Sequence, residues 1–324
     1  MSLVARSALL GAVLAVLQVI FTVASGYKDT PSPVRLCEEY LEEEKDMIYL
    51  GESTLYYTDP QDTDKAPINE MLQRLLPEYG VGCIAHDAYH LELYEAFCAY
   101  IAGKEKQPEL VIVPINLGTV SAYWGMRPEY QFERIKLFLR NDYLLFRLFY
   151  RPLAVLRAFD LNPISRREYE HAVVYDGEKP VGHITDFLGP EYEEVTPERR
   201  KEQLVLRYME ALDANHPKVK AVGNIARSAS KSRYDVLFYL TPIDYETGNR
   251  YLGKRFESQI RENKSVFLDE TREASLDVLD LSLDLPPDCF YWASRYVNEH
   301  MNQRGRRYVA RRLASAVRAR LTRK

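Results

Sequence analysis

A chain of 324 residues with 46% hydrophobic and 28% charged residues, and only 15 glycines and 17 prolines, has the composition of a globular protein. That excludes a disordered, collagen-like or small disulfide-stapled architecture. The formal charge is −4, yet nine of the 43 basic residues fall in the last 21 positions without one acid, so the rest is strongly acidic and only this tail attracts polyanions.

The run from Ser7 to Tyr27 carries no charge and follows Arg6. At about 1.5 Å per residue it is long enough to cross the hydrocarbon core of a bilayer as a helix. Positive charge on its amino-terminal side predicts that everything beyond Lys28 lies outside the cytoplasm. Residues 1–27 therefore read as a signal anchor or a signal peptide. Small residues at Ala24, Ser25 and Gly26 suit a signal peptidase, but the run exceeds a usual signal core and favours an uncleaved anchor. The expected location is the cell envelope: anchored with the domain on the extracytoplasmic side, or secreted or periplasmic after cleavage. Cys37, Cys83, Cys98 and Cys289 contain no CxxC pair, which argues against a zinc knuckle or thioredoxin-type centre. Export allows one disulfide among them, while Cys83 and Cys98, in apolar stretches, read equally as small buried hydrophobes. Residues 28–45 read as an acidic linker helix with solvated charge.

From residue 46 onward short apolar runs alternate with helical patterns. Strands are predicted over 46–53, 80–86, 109–116, 235–242 and 276–282. Helices are predicted over 66–76, 88–102, 129–150 (one long helix) and 251–263, with further helices at the C-terminus. Strands that are apolar throughout, each followed by a helix, imply a doubly wound parallel sheet covered on both faces: an α/β domain over 46–324. The polar stretch 151–197 breaks the alternation and reads as an insertion or lid. In the basic tail, Val309, Leu313, Val317 and Leu321 form one stripe of a helix that closes the sheet and leaves arginine on solvated faces. Contact with an anionic membrane surface is a second reading of that helix, and the exported topology disfavours nucleic acid.

Ligands of such sheets bind at the carboxyl ends of the strands, which here means Gly51-Glu52-Ser53, His86-Asp87, Asn116 and Thr241-Pro242. Gly51-Glu52-Ser53 resembles the GDS signature of the SGNH (GDSL-type) hydrolases, Pro114-Ile115-Asn116 is similar to their G-x-N block, and Glu299 to Gly305, followed by YVARRLA, resembles the block that holds the catalytic histidine. The resemblance covers 46–317. It implies a flavodoxin-like three-layer sandwich in which Ser53 is the nucleophile, His300 the general base, and Asn116 with the Ser53 N–H the oxyanion hole, without cofactor or metal. The segment 116–133, with Ser121, Trp124, Pro128 and Gln131-Phe132, is more loosely similar to envelope members that transfer acyl groups to cell-wall or exopolysaccharide polymers. The function this implies is a serine esterase or O-acyltransferase acting on an acylated, for instance acetylated, cell-envelope carbohydrate, with envelope-assembly proteins as partners. Trp124, His86 and Asp87 are the candidate substrate contacts.

The chemistry has its own logic. A serine hydroxyl attacks an ester only when a base takes its proton, and histidine titrates in the right range. The negative oxygen of the tetrahedral intermediate needs preorganised donors. The departures from the family pattern matter as well. Val297 stands where an aspartate usually precedes the histidine, so orienting His300 falls to Glu299, to Asn298, to one of Asp280, Asp284 and Asp288, or to a backbone carbonyl. No glycine occurs among Asp87, Ala88 and Tyr89, where the family's oxyanion-hole glycine belongs, and Glu52 replaces an aspartate. These departures sustain an alternative, a catalytically silent SGNH-like binding or assembly subunit of an envelope polysaccharide system. His86 and His90 have the H-x-x-x-H spacing of a zinc helix, but the first ends a strand and no third ligand is evident. His171, His183 and His216 read as surface residues. The aromatic pairs Tyr56-Tyr57, Tyr123-Trp124 and Tyr291-Trp292 flank the candidate blocks, as interior packing or as platforms for sugar rings.

Overall fold

A computed structural model describes residues 2–26, 29–188, 196–274, 276–291 and 299–322. Its centre is a five-stranded sheet built from β1 (Met47–Gly51), β2 (Val81–Ala85), β3 (Leu110–Ile115), β6 (Asp235–Leu240) and β7 (Val278–Asp280). The strand order is β2-β1-β3-β6-β7 and every pairing is parallel. This is the flavodoxin-like order of a doubly wound sheet, with its topological switch between β1 and β3.

Alternate residues of each strand feed two separate cores, as the period of two requires. Ile48, Leu50, Val111, Val113, Val236 and Phe238 belong to one core, and Met47, Tyr49, Leu110, Ile112, Leu237 and Tyr239 to the other. The first core is covered by α2 (Ser32–Glu42), α5 (Leu91–Ala102), α12 (Pro217–Ala229) and α14 (Arg255–Glu273), the second by α4 (Ile68–Leu75) and α15 (Gln303–Leu321). The remaining helices are α1 (Leu3–Ala24), α3 (Ser53–Tyr56), α6 (Ala122–Gly125), α7 (Glu133–Arg140), α8 (Leu144–Val155), α9 (Arg166–Glu170), α10 (Ile184–Phe187), α11 (Pro197–Tyr208) and α13 (Tyr245–Leu252).

Several expectations change. The single helix expected over 129–150 is α7 and α8, because Asn141 leaves the helical region and its side chain hydrogen-bonds Leu137 O at 2.9 Å, the local competition typical of asparagine. The helix expected over 251–263 is likewise two, parted at Gly253, whose φ of +70° suits glycine at a helix end. The described part of 151–197 is ordered as the end of α8, α9, α10 and an antiparallel hairpin of β4 (Val173–Asp176) and β5 (Lys179–His183). The acidic helix α2 is not merely a linker: Val34, Cys37 and Leu41 are buried, and the Tyr40 hydroxyl donates to Cys83 O at 3.2 Å. All four cysteines are free thiols, so the disulfide is not formed. His171 and His183 are exposed, His216 half-buried.

The basic tail is α15, and Val309, Leu313, Val317 and Leu321 do face the sheet. Its arginines are not all solvated, however. Arg306 is fully buried, and its guanidinium reaches Ala66 O, Asp64 O, Met301 O and the Asp62 carboxylate at 2.7–3.1 Å. It ties the loop between α3 and α4 to the segment that carries His300. On the opposite flank, Val4–Ala24 is long and apolar enough to cross a membrane and is almost wholly exposed.

Candidate active site

β1 and β3 flank the switch of the sheet, and their carboxyl ends deliver the first two groups of the site. Ser53 opens α3 directly after β1, with Glu52 as its N-cap: the Glu52 carboxylate accepts from Thr54 N at 3.0 Å and lies 3.1 Å from Ser53 Oγ. Asn116 follows β3, and its side-chain oxygen caps the next turn by accepting from Gly118 N at 2.8 Å. His300 arrives 247 positions after Ser53, and its Nε2 lies 3.2 Å from Ser53 Oγ. The serine hydroxyl has one proton and two acceptors within reach, the imidazole and the Glu52 carboxylate.

The imidazole is held by aromatic rings. Tyr57 stacks on it at 4.9 Å between centroids and Tyr291 at 6.0 Å. Tyr56 and Tyr57 both donate their hydroxyls to the Asp87 carboxylate, which fixes Asp87 at the rim of this stack. Burial, and then the positive charge of Arg207, push the His300 pKa down to about 4, so the ring is neutral at pH 7 and able to accept a proton.

Glu299 turns inward. It is buried and accepts from the Tyr208 hydroxyl at 2.9 Å. Burial, and then the negative charge of Glu52, push its pKa up to about 7. Burial also raises that of Glu52. Between the two carboxyls stands Asn116: its Nδ2 donates to Glu52 Oε1 at 3.2 Å, and the same amide stabilises Glu299. Gly118 makes room for this cluster, since a Cβ there would meet Glu299 Oε2. The asparagine expected to face an oxyanion is therefore engaged by two buried carboxyls, which need donors more than solvent-exposed groups do. Asp280, Asp284 and Asp288 are bound to Lys264, Arg312 and Arg304 respectively. Val297, Asn298 and Trp292 lie outside the described residues.

The raised pKa of Glu299 has a measurable sign. A carboxyl whose folded pKa lies above its unfolded value binds protons more tightly when folded, so its stabilising contribution is complete below about pH 4.5 and is lost as pH rises through about 7. Glu299→Gln is permanently neutral. Its melting temperature is expected to match wild type near pH 5 and to exceed it at pH 8, by an amount equivalent to roughly 1–3 kcal/mol. Parallel melting-temperature profiles for the two proteins across this range would refute the assignment.

The loop after β2 supplies the next residues. Ala88, where a glycine was expected nearby, has φ +59°, the left-handed region that glycine enters most readily. His86 Nδ1 contacts Asp87 O, and its ring packs against Tyr89 and Phe132. His86 also lines a groove of about 440 Å³ whose other walls include Thr30, Pro31, Phe132 and Arg134. His90 is buried, with Nε2 at Tyr130 O and Nδ1 near Glu92, so the two histidines of the H-x-x-x-H spacing have separate partners. Trp124 stacks on Tyr130 at 5.3 Å and lies 5.4 Å from the Arg207 guanidinium, whose charge both His300 and Glu299 feel. Thr241, after β6, is buried and bonded through its N–H to Ile115 O.

Arg207 and Tyr208 escaped the sequence reading. They end α11, outside the strand-end positions, and their one signal is a charge inside the apolar run LVLRYM.

No family model matches the sequence. No curated protein matches it. Among solved structures, the chain is similar to a lipase/acylhydrolase from Enterococcus faecalis, with 12% identity, 85% of this chain and 96% of that one covered, and a TM-score of 0.38. It is also similar to an acetylxylan esterase from Geobacillus stearothermophilus, with 11% identity, coverage of 83% and 92%, and a TM-score of 0.38.

Proposed function

We propose that this chain is an SGNH-like serine esterase or O-acyltransferase, held at the extracytoplasmic side of a membrane by α1, which acts on acyl, for instance acetyl, esters of a cell-envelope carbohydrate. The observation that carries this reading is the 3.2 Å approach of His300 Nε2 to Ser53 Oγ at the switch of a parallel sheet. In this scheme His300 takes the Ser53 proton as Oγ bonds to the ester carbonyl carbon. The tetrahedral intermediate expels the sugar alkoxide, which leaves with that proton from His300. Water or an acceptor hydroxyl, activated by the same imidazole, then releases the acyl group from Ser53. The Ser53 N–H, in the first turn of α3, is one oxyanion donor. Asn116 is the second and must turn one amide proton from a carboxyl to the oxyanion. Tyr57 and Tyr291 hold the imidazole plane, and Trp124, His86 and Asp87 border the substrate. The scheme needs no cofactor.

A second reading, the silent binding or assembly subunit, is favoured by the engagement of Asn116 with Glu52 and Glu299. The two separate in one experiment. Separate samples of the full chain are treated with a fluorophosphonate probe, or given p-nitrophenyl acetate and acetylated polysaccharide while acetate release and acetyl transfer are followed. Labelling at Ser53 with ester turnover is the expected result. An unlabelled, inactive wild type that still binds polysaccharide would establish the silent subunit instead.

A further inference from the structure

We infer that α8 lies in the boundary between lipid headgroups and acyl chains beside α1, so that two elements of this protein contact the bilayer. The inference rests on reading α1 as the membrane helix and adds a contact that this reading does not contain.

α1 does not rise freely from the domain; it crosses α8. Gln18 Nε2 and Thr22 Oγ1 both donate to Leu148 O, at 3.0 and 3.3 Å, and the Arg151 guanidinium lies 5.4 Å from the Phe21 ring. Leu148 is the midpoint of an apolar stripe along α8. One turn before it come Leu144 and Leu145; after it the same face continues through Pro152 to Val155 and Leu156. α1 covers only the middle. Leu148 is buried, while Leu144 and Leu145 are 61% and 65% exposed and Val155 and Leu156 77% and 76%. The other faces of α8 are satisfied: Phe146 and Tyr150 pack into the core, and Arg147 is bound by Glu38 and Asp142.

Four large aliphatic side chains open at the two ends of one stripe are costly in water. The stripe is continuous with the bare apolar surface of α1, which identifies its occupant as lipid. The depth agrees. Gln18 and Thr22 lie six and two residues before the end of α1 at Ala24, hence about 9 and 3 Å below it. Their mean, about 6 Å, falls within the roughly 5–10 Å to which interfacial helices bury their apolar faces. Tyr143 at one end of α8, exposed, and Arg157 beyond the other are residue types that settle at a headgroup layer.

The test uses the full chain in vesicles of phosphatidylcholine and phosphatidylglycerol. A single cysteine is introduced as Leu145→Cys, Val155→Cys, Leu14→Cys on α1 or Glu262→Cys at an exposed position of α14, and labelled with an environment-sensitive fluorophore. The wild type, with its own four cysteines, gives the background. Positions 145 and 155 are expected to shift to the blue and to be quenched by spin-labelled lipid as strongly as position 14, with position 262 unaffected. If position 14 is quenched but 145 and 155 behave like 262, the α8 contact is overturned and the anchor stands. If position 14 also behaves like 262, the anchor itself falls and takes the inference with it. Cross-links between position 155 of two chains, with no quenching there, would assign the stripe to a second copy and overturn the lipid contact.

Discussion

Ser53→Ala and His300→Ala are each expected to lower kcat for ester cleavage by about 10⁴–10⁶-fold, and the double variant by no more than either alone. In the proposed scheme the two groups perform one act. Without the imidazole, the hydroxyl keeps its proton and is a poor nucleophile; without the hydroxyl, the imidazole has nothing to activate. Because burial and Arg207 hold the His300 pKa down to about 4, the ring is neutral through the physiological range. The acid limb of the kcat/KM profile should therefore fall near pH 4 and not near the ordinary histidine value of about 6.5. Stopped-flow measurement of p-nitrophenyl acetate cleavage from pH 3.5 to 9, with fluorophosphonate labelling of each variant, checks all three statements. Wild-type turnover in Ser53→Ala, or losses that multiply in the double variant, would remove the pair from the chemistry.

Arg306→Met is expected to cost about 3–5 kcal/mol of stability, seen as a fall in melting temperature on the order of 10 °C. The side chain is completely enclosed and bonded to three backbone carbonyls and to Asp62. Asp62 also accepts from Gln303 N at 3.0 Å, at the start of α15. Removing the guanidinium leaves a nearly enclosed carboxylate and several carbonyls without donors, which is the costly way to break a buried pair. Met301 O is one of those carbonyls, so the position of the neighbouring His300 should loosen too. Esterase activity is expected to fall at temperatures where the variant is still folded. Replacing Asp62 with Asn in the same variant should recover part of the stability, because the unpaired charge is gone. A methionine variant as stable as wild type would show that the buried pair makes no net contribution.

Most of the sheet was legible because parallel strands are buried on both faces, and MIYLG and LVIVPI can be little else between turn signals. The strand ends then pointed to Ser53 and Asn116, and the block around His300 supplied the third group. The chemistry around them was not legible. That Glu52 and Glu299 would share Asn116 depends on how the segment before α15 meets the turn after β3, a tertiary fact with no local pattern. Arg207 and Tyr208 come from a helix beyond the expected insertion. The breaks at Asn141 and Gly253 leave no mark in the apolar spacing, which runs on across them, and only side-chain capping and a positive φ reveal the interruptions. Arg306 does carry a sequence signal: it falls three, seven and eleven residues before Val309, Leu313 and Val317, on the stripe that faces the sheet.

The short passage between α1 and α2 sets a limit on where this chemistry can occur. Seven residues separate Ala24 from Ser32, and Asp29 among them is already fastened to Arg134 and Arg151. Fully stretched, such a leash spans at most about 25 Å. On the proposed reading, with α1 embedded, the serine cannot sweep through the space beyond the bilayer, and the esters within its reach are those that approach the membrane.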